Sequence, residues 1–260
     1  MANDWRLARS GLIIPGSASR TRHPQPVGND AAVAKAVNKL RKTRACWIRS
    51  GKRLQREYQW RDDDLRIAVF VGMANVLTSL CVALACQTYY LADMDWWNGF
   101  FGVDEPEAAK SAYGEFGTFL KIGIIQVTVS NLETWVKQLL YELDPSTKNI
   151  KKFHSAWESL IRKNDPRLTS VPANAETIFR LWTLIRNTIH WNGFYVPEKE
   201  RPQTIEYRGV SYEFRVGVQL SFLSWDFLDT VLADTESLVA SIVSDPEVSG
   251  LGRPLLNKVG

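Results

Sequence analysis

The stretch NLETWVKQLLYELDP, residues 131–145, indicates a helix that buries one face and ends abruptly. Counted from the first leucine, its other apolar residues follow at spacings of 3, 4, 7, 8 and 11, which places them on one side of an α-helix. They are Leu132, Trp135, Val136, Leu139, Leu140 and Leu143. Because Asp144-Pro145 cannot continue the hydrogen-bond ladder, we expect a long helix that ends at Leu143.

A second stretch, FRLWTLIRNTIHWNG at residues 179–193, predicts another one-sided helix, which begins after Pro172 and ends at Gly193. Its buried stripe consists of Ile178, Leu181, Trp182, Ile185 and Ile189. Arg186 and His190 are stacked neighbours at the edge of that stripe, since they are four residues apart. Glu133 lies in the same way just outside the apolar face of the 131–143 helix. The sequence leaves open whether these two helix rims face each other.

The remaining segments follow a mainly helical plan. Helices are predicted at residues 30–61, at 67–91, and from Ser146 or Thr147 to a point before Asn164, with a loop at 98–106. Residues 204–220 alternate apolar and polar about Arg208-Gly209, which predicts a β-hairpin. Val218–Leu220 is a candidate third strand. A last helix, with Ser224 as its N-cap, should stop at Asp245-Pro246. We therefore expect a helical bundle with a small antiparallel hairpin before the last helix.

The segment Ile67–Leu91 contains 25 residues without a charge, which is long enough to cross a bilayer. Basic residues precede it and an aromatic group follows it, at Trp96, Trp97, Phe100 and Phe101. Polar residues such as Asn75 and Gln87 interrupt the apolar run, however. We expect the central helix of a bundle, buried on all sides, and keep a membrane span as the alternative.

Charge is distributed unevenly along the chain. Lys and Arg total 32 against 28 Asp and Glu, but residues 1–66 hold 15 basic and 6 acidic residues, a net of +9. The other 194 residues hold 17 and 22, a net of −5. A basic arm suggests a polyanionic partner, either nucleic acid or an anionic membrane. We predict a flexible basic tail at 1–29, a helical pair at 30–97 that packs on the bundle, and a helical domain at 107–246.

The three cysteines, Cys46, Cys81 and Cys86, form no CxxC pair, which is typical of a reduced cytoplasmic protein. Cys81 and Cys86 lie in the apolar stretch, where we expect them to be small buried residues. Arg6 and Arg9 interrupt the position of a secretory apolar region. We expect neither a metal nor a cofactor, because the chain has no phosphate-binding loop, no dinucleotide fingerprint and no HExxH motif.

An arginine and a histidine at one helix rim are suited to phosphodiester cleavage. Histidine can take the proton of a ribose 2′-hydroxyl or protonate the leaving 5′-oxygen, while the guanidinium stabilises negative charge on the transition state. Asn187 could add an amide donor, and Glu133 could orient Arg186 or His190. The alternative is local: a histidine in the last helical turn also stabilises the helix C-terminus. His23 and His154 are weaker candidates, expected at the surface.

The sequence RNTIH at 186–190, followed by Asn192-Gly193, resembles the Arg-Asn…His signature of HEPN domains, and residues 131–143 resemble the glutamate-bearing helix of that family. The resemblance covers roughly residues 118–245. It implies a helical bundle, a homodimer, and a metal-independent endoribonuclease that serves as a toxin or an antiphage, abortive-infection effector. Arg186, Asn187 and His190 would be catalytic and Glu133 would support them. RNA would be the substrate, with a protein partner or antitoxin as a further possibility.

The chain departs from the HEPN pattern at one point. Three residues separate Arg186 from His190, whereas the family usually has four to six; starting from Arg180 instead would leave nine. Inactive HEPN-like scaffolds also exist. The alternative function is therefore a non-catalytic helical interaction or scaffold module, possibly attached to a membrane through residues 67–91.

Overall fold

The computed structural model describes residues 30–161, 168–189, 202–252 and 255, and these residues form a mainly helical fold with one two-stranded sheet. The α-helices are α1 (Asp30–Tyr58), α2 (Leu65–Cys86), α3 (Met94–Phe101), α4 (Pro106–Leu143), α5 (Phe153–Leu160), α6 (Ala175–Ile189), α7 (Trp225–Ser244) and α8 (Pro246–Ser249). A π-helical segment, Gln87–Leu91, extends α2, and the 3-10 helix Pro145–Asn149 follows α4. Strands β1 (Gln203–Tyr207) and β2 (Val210–Phe214) precede α7. The predicted tail, residues 1–29, lies outside the described residues.

The first two helices pack against each other and against the later helices. Helix α1 runs antiparallel to α2: the rings of Trp47 and Phe70 are 5.7 Å apart, and farther along Arg44 Nε donates to Thr78 Oγ1 at 2.6 Å. On its other side α1 contacts α7, where Thr43 Oγ1 donates to Asp229 Oδ1 at 2.6 Å. Helix α2 packs on α4. The buried apolar residues of these helices and of α5 and α6 belong to one continuous core.

Helix α2 differs from the expectation of a helix buried on all sides. Its first turns are enclosed, with Ile67 and Phe70 almost fully buried. Farther along, only one side is covered: Val82 is half-exposed and Cys86 is exposed, contrary to its predicted burial. Cys81 is half-buried, and this burial raises the pKa of its thiol. The second half of α2 therefore lies at the edge of the core, with one face buried and the other exposed.

Three predicted segments differ from the structure. Residues 98–101, predicted to be in a loop, form the end of α3, because the helix stops only at Gly102, a left-handed C-cap with φ of 64°. The helix predicted from Ser146 or Thr147 is replaced by the 3-10 helix, and α5 starts only at Phe153. The third strand at 218–220 does not form: in the described residues the sheet contains β1 and β2 alone.

The β-hairpin forms where the alternation predicted it and is fastened to α7. Its two-residue turn, Arg208-Gly209, has φ angles of 51° and 74°, which match the twist of a tight hairpin. Asp234 on α7 accepts a hydrogen bond from the Tyr207 hydroxyl at 2.6 Å and two more from Arg208, through its Nε and Nη2. Burial and this bond to the carboxylate raise the pKa of Tyr207. The hairpin is thereby fixed beside α6 and α7.

Candidate functional site

Two of the predicted site residues, Glu133 and Arg186, lie on α4 and α6, and contacts with α7 and α5 hold α6 in place. Trp182 Nε1 donates to Thr235 Oγ1 of α7 at 2.9 Å, deep in the core. The rings of Phe179 and of Trp157 on α5 stack 5.7 Å apart. The predicted stripe of α6 is buried through Ile185, and Ile189 is half-buried. Because this stripe faces the core, Arg186 is left at its edge.

Arg186 meets Glu133 across the two helices. Its Nη2 lies 3.2 Å from Glu133 Oε2, and the other carboxylate oxygen accepts a hydrogen bond from Lys137 Nζ at 2.6 Å. The carboxylate is well shielded, with 18% of its side chain exposed, whereas 37% of the arginine side chain is exposed. Lys137 also donates to the main-chain carbonyl of Lys151. The two helix rims that the sequence analysis left unrelated therefore face each other.

The electrostatics of this cluster favour an anion. One carboxylate is shared by two cations, Arg186 and Lys137, so the three groups together carry a net charge of +1. Lys151, whose main-chain carbonyl accepts a hydrogen bond from Lys137, is itself exposed. A carboxylate that orients a guanidinium without cancelling the local charge leaves the remaining N–H groups of the guanidinium available to a phosphate.

Of the other predicted site residues, the structure describes Asn187 and Arg180 but not His190. Asn187 follows Arg186 on α6 and is half-buried. His190 and the following Asn192-Gly193 lie outside the described residues. Arg180, the alternative arginine of the motif, is exposed and donates to Gln203 Oε1 of β1 at 3.2 Å. It therefore belongs to the contact between α6 and the hairpin, away from Glu133.

Sequence reasoning missed the role of Lys137. The signal was present in the spacing, because Glu133 and Lys137 are four residues apart on one helix and form an ordinary i,i+4 pair. What the spacing does not contain is the third partner, Arg186, which comes from another helix. The carbonyl of Lys151 could not be inferred at all, since it depends on how the chain turns after α4.

The other described His, Cys, Asp and Glu side chains form no metal site. Within residues 30–161, 168–189, 202–252 and 255, no group of three or more His, Cys, Asp or Glu side chains is placed to hold a metal ion. His154 is half-exposed, and its Nε2 lies 3.2 Å from Glu158 Oε1, as for a surface histidine.

Comparisons of the chain with protein-family models, with curated proteins and with solved structures give no match. One of the described helices, Leu65–Leu91, is long and apolar enough to cross a membrane, with a mean hydropathy of 2.2. A core helix of a soluble protein is also long and apolar enough, and 44% of the apolar 18-residue window of this helix is buried.

Proposed function

We propose that this protein is a metal-independent endoribonuclease of the HEPN type, acting as a toxin or antiphage effector. The observation that carries the proposal is the Arg186–Glu133–Lys137 cluster: an oriented, half-exposed guanidinium in a locally positive setting, at the helix rim that precedes His190. The resemblance of residues 186–190 to the HEPN signature supplies the reaction class. It also implies a homodimer, which would bring two such rims together.

The chemistry assigned to these residues is transfer of the phosphodiester from the 5′-oxygen to the 2′-oxygen. His190 would take the proton of the 2′-hydroxyl as its oxygen attacks phosphorus, or would protonate the 5′-oxygen as the P–O5′ bond breaks. Arg186 would bind the non-bridging oxygens, whose negative charge grows in the transition state. Glu133 would hold the guanidinium in position, and Asn187 would add a neutral donor. The products would be a 2′,3′-cyclic phosphate and a 5′-hydroxyl.

The exposed face of α1 supports a role in holding RNA. The helix contains nine basic and two acidic residues, and its exposed cations include Arg41, Lys42, Arg49, Arg53 and Arg56. Such a row attracts a phosphate backbone independently of sequence. Because α1 packs on α2 and α7, whereas Arg186 lies between α4 and α6, this face would hold RNA at a distance from the cleavage site.

The test uses the full chain with total RNA in EDTA. The wild type is expected to cleave RNA and to leave 2′,3′-cyclic phosphate ends, detected by end-specific labelling. Arg186→Ala should lower the cleavage rate about 10²- to 10³-fold, the usual effect of removing one donor to transition-state charge. Arg180→Ala is the matched control, because this arginine contacts the hairpin, and it should cleave within a few-fold of wild type. Intact RNA with the folded wild type, or equal rates for both variants, would contradict the proposal.

A second candidate function, a non-catalytic interaction or scaffold module, is favoured by a different surface. Four rings of α3 contact one another with centroids 5.0–5.6 Å apart: Trp96, Trp97, Phe100 and Phe101. Phe100 is 71% exposed and Phe101 is 57% exposed. Exposed aromatic groups of this kind are enriched in binding surfaces, where they act as anchors. We name this surface the α3 cluster.

The interaction function predicts that the α3 cluster holds a protein partner. Phe100→Ser with Phe101→Ser should weaken partner binding at least tenfold, because buried aromatic anchors dominate interface energies. The matched control is Val210→Ser with Val218→Ser, two exposed residues near the hairpin, which should bind normally. Quantitative cross-linking in cells measures partner binding by both variants. Binding of the wild type to phosphatidylcholine vesicles would instead identify a lipid surface as the partner of the α3 cluster. Equal cross-linking of both variants would exclude the α3 cluster as the interface.

A further inference from the structure

A pocket of about 200 Å³ lies between the last turns of α4 and the segment that follows it. Its walls combine residues of α4, of the 3-10 helix and of the chain after it: Lys137, Gln138, Leu140, Tyr141, Glu142, Thr147, Lys148 and Ile150. Two of these side chains are cationic, one is acidic, one is aromatic and two are aliphatic. The pocket is therefore neither a purely apolar groove nor a purely charged patch.

Lys137 connects the pocket to the arginine cluster, because it lines the pocket and also bonds to Glu133. With a rise of about 1.5 Å per residue, Lys137 and Tyr141 lie about 6 Å and 12 Å beyond Glu133 along the α4 axis. A ligand in the pocket would thus have one end close to the charged cluster and the other against the Tyr141 ring. These two ends differ in chemistry, which gives the ligand a defined orientation.

The walls fit a flat heterocycle that carries a phosphate. Tyr141, which is 37% exposed, gives the pocket an aromatic wall, and Ile150 gives it an apolar contact. The ammonium groups of Lys137 and Lys148 can each contact a phosphate oxygen. An aromatic ring beside basic groups is the combination that proteins use for unpaired bases of single-stranded nucleic acid.

We propose that this pocket binds a nucleobase of single-stranded RNA, from the nucleotide next to the phosphate that contacts Arg186. The proposal rests on the proposed ribonuclease function. Binding of this base would determine which phosphate of the RNA contacts Arg186. The base stacks on Tyr141, and Lys137 stands between the base and the scissile phosphate. The Tyr141 hydroxyl is not needed for stacking, whereas the ring is.

The experiment measures binding of adenosine 5′-monophosphate and of ribose 5-phosphate to the full chain by calorimetry. The nucleotide should bind more tightly to the wild type, because only it carries a base. Tyr141→Ala should weaken nucleotide binding roughly 5- to 100-fold, as for loss of one base–aromatic stack, and Tyr141→Phe should bind as wild type. Ribose 5-phosphate should bind all three proteins equally. Tyr89→Ala is the matched control: Tyr89 is exposed in the π-helical segment, and this variant should bind the nucleotide as wild type.

Equal binding of the two ligands to the wild type, no nucleotide binding at millimolar concentration, or no effect of Tyr141→Ala would overturn the pocket assignment. Failure of the proposed function is distinguishable, because it is measured as RNA cleavage. A protein that cleaves no RNA but loses nucleotide binding in Tyr141→Ala keeps the pocket and loses the ribonuclease. If the protein cleaves RNA but Tyr141→Ala binds the nucleotide as wild type does, the ribonuclease function stands and the pocket assignment is wrong.

Discussion

Alanine in place of His190 is expected to lower the rate of RNA cleavage by about 10²- to 10⁴-fold, the range that a positioned general acid or base contributes. The reason is chemical: an imidazole can exchange a proton near neutral pH, whereas a guanidinium serves to bind charge. The rate is measured in EDTA with a labelled RNA under single-turnover conditions, so that chemistry is separated from product release.

The matched control for His190 is the other histidine of the helical domain. His154 on α5 is half-exposed and pairs with Glu158, so His154→Ala removes an imidazole without touching the arginine cluster. Its rate should stay within about twofold of wild type. Equal cleavage by His190→Ala and wild type, with both folded by circular dichroism, would remove His190 from the mechanism.

Helix faces were the part of this molecule that could be predicted from sequence. The apolar stripes of α4 and α6 are buried through Leu140 and Ile185, with only Leu143 and Ile189 at the helix ends half-buried. Ser224 caps α7 by accepting the Phe227 N–H at 3.1 Å. These features depend on neighbours within a few residues, where periodicity and capping chemistry act. The hairpin turn at Arg208-Gly209 belongs to the same class. Each is a local property of the chain.

The contact between Arg186 and Glu133 could not be predicted in the same way. Each residue lies at the edge of its apolar stripe, but the distance between them depends on the rotation of α6 relative to α4. That rotation is set by two other helices, through Thr235 of α7 and Trp157 of α5. The sequence offered Arg180 only as an alternative start of the motif. In the structure only Arg186 reaches the glutamate, because six residues along a helix rotate a side chain by about 240°.

The wrong boundaries have local physical causes. A loop was predicted from residue 98, yet α3 continues through Gly99, because Asp93 caps the first turn and Trp97 Nε1 donates to the Leu91 carbonyl at 2.7 Å. A glycine inside a helix costs only about 1 kcal/mol, which such contacts offset. After α4, the Asp144 side chain accepts the Ser146 N–H at 2.9 Å, and this stabilises a 3-10 turn rather than a new α-helix.

A buried ion pair, Asp64 with Arg66, joins the two ends of the fold. Both side chains are 1% exposed, and the guanidinium binds the carboxylate through Nε at 2.9 Å and Nη2 at 2.7 Å. The arginine also donates to the carbonyls of Val248 and Leu251, each at 3.1 Å, and lies 4.2 Å above the Trp60 ring. The turn between α1 and α2 is thereby tied to α8 and the chain after it.

Arg66→Ala is expected to lower the free energy of unfolding by about 3–5 kcal/mol, because it leaves the Asp64 carboxylate buried without its counter-ion. The control is the neighbouring pair Arg61–Asp63, which has the same two-residue separation and the same two bonds, at 3.0 and 2.9 Å, but is exposed to solvent. Arg61→Ala should cost less than about 1 kcal/mol. Urea unfolding of the full chain measures both; equal losses would show that burial adds nothing to this pair.

The double variant Asp64→Leu/Arg66→Met separates the charge penalty from the lost bonds. Replacing a buried ion pair by apolar residues is often nearly neutral, so the double variant should be more stable than Arg66→Ala. It should not regain the whole loss, since Asp64 also accepts the Leu255 N–H at 3.2 Å and the Arg66 N–H at 2.9 Å, and leucine accepts neither. A double variant less stable than Arg66→Ala would mean that the lost hydrogen bonds outweigh the unpaired charge, so that Asp64 acts chiefly as the cap of α2 and the anchor of the C-terminal chain.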